Sequence, residues 1–454
     1  KAGDRLWGPG DIMAFDANDL SPHENFVVER TRLGEVADFA QVAPGAAKPP
    51  IRAGFLRKLL LELDENWLVR TPGVRIKGAR VEGALDLTDC SGAGLPALEL
   101  VECDIPESMD LSHARLARLN LRGSAFRHLR AHGLVIDGPF DFSFARAAVE
   151  GAPCWIDARG AAIAGRIDGE GARLVLEDGL PKDAGAQRYA LILREARIGG
   201  GVCLRPDFSA QGGATFFDAV VEGLVDLRGA HLKAVGRRAL NLGNLRASGV
   251  VSLNRGFRAE GPIWMRGAIL SGGLNLDGAT IEVAAGESEG LNAEHCEIGE
   301  ELQLRHKFTA NALVSFAGSE IHGSVRVDAS RITAHPVALD LRKAHIRGEL
   351  TGAAYLTGAL ALSGASIGGN CDLRGVEIAV ANGRAGSQKP ESAVALDAAS
   401  VRIGGAALLQ GANVKGEVFL ADARIEGYLA LGGGRFIHPG HWAIRAPNAR
   451  IGGN

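Results

Sequence analysis

The sequence predicts an all-β protein, a parallel β-helix (β-solenoid) of about fifteen coils with a small helical cap at its N-terminal end. Three observations predict it. One nine-residue phrase recurs along the chain, equivalent positions lie 21 to 28 residues apart, and 62 glycines are spread over 454 residues without a collagen-type period.

The phrase reads small residue, any, Ile or Val, any, Gly, any, apolar, any, Leu. Examples are Ala79 to Leu87 (ARVEGALDL), Ala219 to Leu227 (AVVEGLVDL), Ala268 to Leu276 (AILSGGLNL) and Ala365 to Leu373 (ASIGGNCDL). Ala412 to Leu420 (ANVKGEVFL) and Ala423 to Leu431 (ARIEGYLAL) repeat it. Within each phrase the apolar residues and the glycine share one parity, which is the period of a strand with one buried face. Aligned on the Ile/Val position, Val221 is followed by Ala247, Leu270, Ile298, Ile321, Ile346 and Ile367, at intervals of 26, 23, 28, 23, 25 and 21 residues. Weaker half-phrases occur at Leu356 and Val414. Such intervals suit one turn of a parallel β-helix in which each strand pairs with its equivalent one turn along. Neighbouring strands lie about 4.8 Å apart, so the rod should be about 70 Å long.

The mid-phrase glycine occupies a position where an apolar side chain would otherwise point inward. Either the backbone bends there through a conformation closed to other residues, or the coil wall is too tight for a Cβ. The small residue two places before the Ile/Val reads as a corner filled by a methyl group. Asp86, Asn120, Asp226, Asn241, Asn275, Asp340 and Asp372 lie between two apolar residues and are expected to face solvent. Arg122, Arg228, Arg342 and Arg374 follow two places on, so stacked coils should carry rows of Asp/Asn beside Arg that keep a long β surface soluble.

Three insertions are rich in Gly, Pro and charge: Glu177 to Arg188, Ala284 to Gly290 and Asn382 to Ser392. Each follows an apolar strand phrase, such as Ile281-Glu282-Val283 or Ile378-Ala379-Val380. Insertions at one point of a repeat emerge on one edge of the rod, and that edge is the expected contact for a protein partner.

Residues 1–72 lack the phrase and form the expected helical cap segment; 73–454 form the β-helix repeat domain. Ser21-Pro22-His23-Glu24 reads as an N-cap, a proline at the first helical position and a capping-box glutamate. That helix should run to about Arg32 and stop at Gly34. Ile51, Phe55 and Leu59, with Leu56 and Leu60, have the spacing of a second, amphipathic helix over Ile51 to Leu61. The open end of a solenoid exposes unpaired strands and core, which these helices are expected to cover.

Composition excludes more than it assigns. Lys+Arg 50 against Asp+Glu 53 leaves a formal net charge of -3, so no basic excess marks a nucleic-acid partner and none is expected. The six cysteines are scattered singly with no CxxC and read as reduced core residues, which points to the cytoplasm. No signal-type segment or 18-residue apolar run occurs between Lys1 and Asn454, so this stretch is expected to be soluble and unexported. The final ARIGGN copies Ala365 to Asn370, where a strand continues, so the native chain is expected to run on.

No dinucleotide fingerprint, P-loop, H-E-x-x-H or G-x-S-x-G is present. His128 and His132 lie in coil-and-strand sequence, His295-Cys296 should fall on opposite faces of a strand, and His438 and His441 flank a Pro-Gly turn. Trp155, Trp264 and Trp442 are isolated and read as core or capping residues. No catalytic, cofactor-binding or metal residue is assigned, and no cofactor is expected.

The stretches IRAGFLRKLLLE, VRIKGARVEGALDL, LNLRGSAFRHLRAHGLVIDGPFDF and GFRAEGPIWMRGAILSGGLNLDGA resemble a family of bacterial proteins usually labelled hypothetical or "membrane-associated oxidoreductase". The resemblance covers nearly the whole chain. It implies a continuation into a helical region and membrane-spanning segments, and hence a place at the inner face of the cytoplasmic membrane. No cofactor motif supports the oxidoreductase label. At the level of strand repeats the chain is also similar to bactofilins and pentapeptide-repeat proteins, with a longer phrase and a longer coil. The expected function is a non-enzymatic scaffold or recognition rod, with oligomerisation open. The alternative is a carbohydrate-active β-helix enzyme using Asp clusters, which requires three acidic side chains to converge in a cleft beside an aromatic.

Overall fold

The structure, a computed structural model, describes residues 19–42, 45, 47–61, 69, 71–91, 94–149, 151–176, 189–380 and 394–453. It is a parallel β-solenoid of about 15 turns. Each regular coil has four short strands, one per side. In one coil these are Val225–Asp226 on side I, His231–Lys233 on side II, Leu240–Asn241 on side III and Arg246–Ala247 on side IV. Side I forms a 16-stranded sheet and side IV a 14-stranded sheet, while sides II and III join in a third. The strands pair in parallel with their equivalents one turn along, and among the described residues one antiparallel bridge joins Cys154 to Val175.

The predicted register holds residue for residue. Val221, Ala247, Leu270, Ile298, Ile321, Ile346 and Ile367 are successive Cα partners down side IV. The half-phrase residues Leu356 and Val414 stack through Ile378 on side II. The phrase therefore occurs at two places in the coil: Ala219, Ala268, Ala365 and Ala423 open it across the corner from side IV to side I, whereas Ala79 and Ala412 open it from side II to side III.

Both explanations of the mid-phrase glycine apply, one at each corner. At corner II–III, Gly83 and Gly416 have φ of 88° and 132°, a bend that suits glycine alone. At corner IV–I, glycines of successive coils stack directly. Gly249 donates to the Gly223 carbonyl at 3.0 Å, and a Cβ on Gly249 would meet the Leu224 nitrogen at 2.7 Å and the Gly223 carbonyl carbon at 2.8 Å. The remaining corners turn through a residue in the left-handed region, such as Gly229 (φ 68°) before Ala230 or Asn244 (φ 53°) before Leu245, each followed by a buried apolar residue.

The core fills by alternation of volume. Down the start of side II, Phe208, Ala230, Phe257, Ala279, Phe308 and Ser330 succeed one another, all fully buried. A phenylalanine follows each arc that is one residue longer, as in Leu204-Arg205-Pro206-Asp207-Phe208, so its ring fills the space the wider arc opens.

Helix α1 (Pro22–Leu33) begins at Ser21 with the predicted capping box and stops at Gly34, φ 71°. Helix α3 (Ala53–Leu60) buries Phe55, Leu56, Leu59 and Leu60. The sequence places Ile51 in this helix; in the structure it lies in the strand Pro50–Arg52, paired with Arg80–Glu82. The short helix α2 (Phe39–Val42) follows the strand Ala37–Asp38, paired with Ile76 and Lys77. The N-terminal segment thus contributes strands as well as helices to the first turn: strands on sides I and II, with α3 standing below Leu85–Asp86 of side III. The sequence pattern could not separate one strand from the helix behind it, because Ile51 fits both periods.

Candidate functional site

The Asp/Asn row was expected to face solvent. Three of its members are instead buried: Asp226 is 3% exposed, Asn241 7% and Asp340 1%, and Asp157, at the equivalent place in another coil, is 5% exposed. The cause is local. Each arc leaves the N–H of the residue two places on pointing back at the strand end, and the side-chain oxygen accepts it: Arg159 to Asp157 at 3.3 Å, Arg228 to Asp226 at 3.2 Å, Arg342 to Asp340 at 3.0 Å. Asn120, Asn241 and Asn275 accept in the same way through their amide oxygens. Where the second residue is arginine its guanidinium folds over the carboxylate, with Nε at 3.0 Å from Asp157, 2.9 Å from Asp226 and 2.9 Å from Asp340. The hydrogen bond from Arg374 holds Asp372 below the ordinary carboxylate range. These carboxylates are turn caps, each neutralised by its own arginine.

Asp340→Ala is expected to cost about 2–3 kcal/mol, since it strands both the Arg342 N–H and the guanidinium. Asp340→Asn keeps an acceptor for the N–H and should cost about 1 kcal/mol. Urea unfolding of the two variants checks this, and equal losses would rule out the capping role.

Side II changes character along the rod. Between Ser209 and Glu282 its outward charges pair among themselves: His231 with Glu260 at 3.0 Å, Lys233 with Glu260 at 3.5 Å, Arg258 with Glu282 at 2.8 Å. Farther along, a groove of about 350 Å³ is lined by Arg331, Thr333, Tyr355, Glu377, Asn413 and Lys415. The Arg331 guanidinium stacks 5.5 Å from the Tyr355 ring centroid, and Glu377 and Lys415 have no ion-pair partner among the described residues. Among the described residues Glu377 is the one carboxylate in the lining, so three described acids do not converge there. Tyr355, Glu377 and Asn413 each precede the inward aliphatic of a half-phrase, and that alignment is the signal that would have placed them side by side.

A larger cleft of about 800 Å³ lies at the N-terminal end, walled by Pro22, His23, Phe26 and Phe39. Its Lys48 is committed to Asp104 at 2.6 Å.

The insertion edge is built as the repeat predicts. Ala284–Gly290 leaves side II after Thr280–Glu282 and enters side III at Glu289–Asn292. Glu177–Arg188 and Asn382–Ser392 lie outside the described residues, but their flanks end at Arg173–Val175 and Glu377–Ala379 on side II and resume at Leu191–Ile192 and Val394–Asp397 on side III. All three open at corner II–III.

The remaining sequence candidates disperse. His132 meets Asp157 at 3.1 Å, and His128 stacks on Trp155 with centroids 4.8 Å apart. His295 and Cys296 were expected on a strand and sit instead in an arc, with His295 at φ 54°. His438 and His441 flank the Pro-Gly turn as read. Trp264 lies under the Arg238 guanidinium at 4.1 Å, while Trp442 is 76% exposed and is neither core nor cap. All six cysteines are free. Burial pushes the thiol of Cys103 up to about 11 and those of Cys154, Cys296 and Cys371 up to about 12, which removes them as nucleophiles. Among the described residues no three His, Cys, Asp or Glu side chains gather as metal ligands, and no helix is long and apolar enough to cross a membrane. No family model, curated protein or solved structure matches the chain.

Proposed function

We propose that this protein is a non-enzymatic recognition rod whose corner II–III engages a protein partner. The observation that supports it most directly is the placement of the insertions: three segments of unlike sequence all leave the rod at one corner, where loops can vary without disturbing the strand ladder. The use of Asp226, Asp340 and their equivalents as arginine-covered turn caps supports the same reading, because it removes the acidic row from chemistry. The family resemblance adds a setting, the cytosolic part of a membrane-anchored bacterial protein. A second reading, a carbohydrate-active β-helix, draws on the side II groove, where Glu377 stands beside Tyr355 among hydroxyl and amide side chains.

Site-specific photo-crosslinking in the native cell tests the rod. A probe at Ser288, on corner II–III, should capture a partner that a probe at Ser252, on side I, does not. Equal capture from both positions would remove the corner as the contact.

A further inference from the structure

Side IV carries a charge pattern that ion pairing within the chain leaves largely unanswered. Counted from Arg115–Leu116, its eighth and ninth strands present Glu297 and Glu320, and its last three present Arg402, Arg424 and Arg450. These are register neighbours, Glu297 with Glu320, Arg402 with Arg424 and Arg424 with Arg450. Like charges stacked about 4.8 Å apart repel. The two glutamates share only His322, at 3.7 and 3.8 Å, and the three arginines have no carboxylate partner among the described residues. The face is also unobstructed, since the corners bounding it are short arcs and the glycine stack.

We propose that side IV is a self-association surface, on which two copies pack about a two-fold axis running along the strands between His345–Ile346 and Ser366–Ile367. Those are the tenth and eleventh strands of the 14-stranded sheet. That axis reverses the coil order of the second copy. The ninth strand then faces the twelfth and the eighth the thirteenth, which sets Glu320 against Arg402 of the second copy and Glu297 against Arg424. Every contact occurs twice by symmetry.

Volumes agree with charges. One outward position farther along each strand, His322 faces Gly404, Arg347 faces Gly368 and Glu426 faces Gly299, so each large side chain meets a glycine. The competing arrangement, with the axis along the rod, would set Glu297 against Glu297 and Arg424 against Arg424, and the repulsion excludes it. The contact runs over eight strands, from Ile269–Leu270 to Arg450–Ile451, yet only a few side chains wide. It lies at the small end of specific interfaces, which makes the dimer weak and sensitive to salt.

Sedimentation velocity of the 454-residue chain tests the proposal. At low salt a monomer–dimer equilibrium with a Kd of about 1–10 μM is expected, weakening tenfold or more at about 0.5 M salt. R402E/R424E, which sets glutamate against glutamate at both pairings, and E297R/E320R, which sets arginine against arginine there, should each self-associate about a hundredfold more weakly. An equimolar mixture of the two should associate as tightly as the original chain or tighter. A chain that stays monomeric at about 100 μM and low salt overturns the proposal. So does either variant dimerising undiminished, or a mixture that fails to associate. None of these outcomes bears on corner II–III, which lies on other sides of the coil.

Discussion

Replacement of Gly249 by valine is expected to destabilise the middle of the rod by about 3 kcal/mol, near the upper end of what overpacking costs. The added Cβ would come within 2.7 to 2.9 Å of three backbone atoms, the Leu224 nitrogen, the Gly223 carbonyl carbon and the Leu224 Cα. Backbone in a stacked coil has no rotamer through which to yield, so relief requires neighbouring coils to part at corner IV–I. Because each coil touches only its neighbours, the damage should be local. Hydrogen exchange should accelerate at Val225–Asp226 and Val251–Ser252, the strands that flank the corner, and stay unchanged near Val74–Lys77. Arg246→Val, on the exposed face of the same coil, should stay within about 0.5 kcal/mol of the parent. Equal tolerance of both substitutions would mean that the glycine stack is not a packing constraint.

Glu24→Ala is expected to cost about 3 kcal/mol and to release the N-terminal cap from the first coil. Glu24 is fully buried in helix α1 and accepts from the Ser21 N–H at 2.9 Å, from Arg52 Nε at 2.8 Å and from the Arg52 N–H at 3.2 Å. It thus closes the capping box and ties the helix to the strand Pro50–Arg52 with one carboxylate. Alanine removes the buried carboxylate that the half-buried Arg52 guanidinium grips and leaves it the looser pairing with Asp19 at 3.6 Å. Glutamine, which keeps one acceptor, should cost about half as much.

Burial alone would raise the pKa of Glu24. The hydrogen bonds and charge of Arg52, with the Ser21 N–H, outweigh it and hold the carboxyl below its ordinary value. A lowered folded pKa contributes stability that is present above the unfolded value, about 4.3, and is lost as pH falls through the folded one. The parent should therefore lose protection at Ala37–Asp38 and Pro50–Arg52 as acid is added below about pH 4, and Glu24→Gln should lose less over the same range. An identical acid profile in parent and Glu24→Gln would show that the carboxylate's charge does not hold the cap.

How far the fold was legible depends on how far each feature is local. Parity within ARIEGYLAL identifies a strand without reference to anything distant, and the spacing of Val221, Ala247 and Leu270 carries the register because the coil is its own template. Ser21 to Glu24 spells a helix start for the same reason, since the capping box closes over three residues. Ile51 failed the test because one aliphatic satisfies a period of two and of 3.6 equally. The Asp/Asn row was misplaced for a different reason. Alternation correctly turned Asp226 and Asp340 away from the core, but solvent is kept off them by Arg228 and Arg342, whose fold-back depends on the arc they begin.

The sequence by itself determined the strands, their spacing, the parallel stacking and the helical start, because each follows from residues within one coil of one another. Only the tertiary structure decided that the coil has four sides, that the same nine-residue phrase serves two different corners, and that Tyr355 joins Glu377 or Glu297 joins Glu320 on a common face. The reason is geometric. Burial period reports whether a side chain points in or out, whereas the side it points from is set by the sum of turns around a closed coil, and no single segment carries that sum.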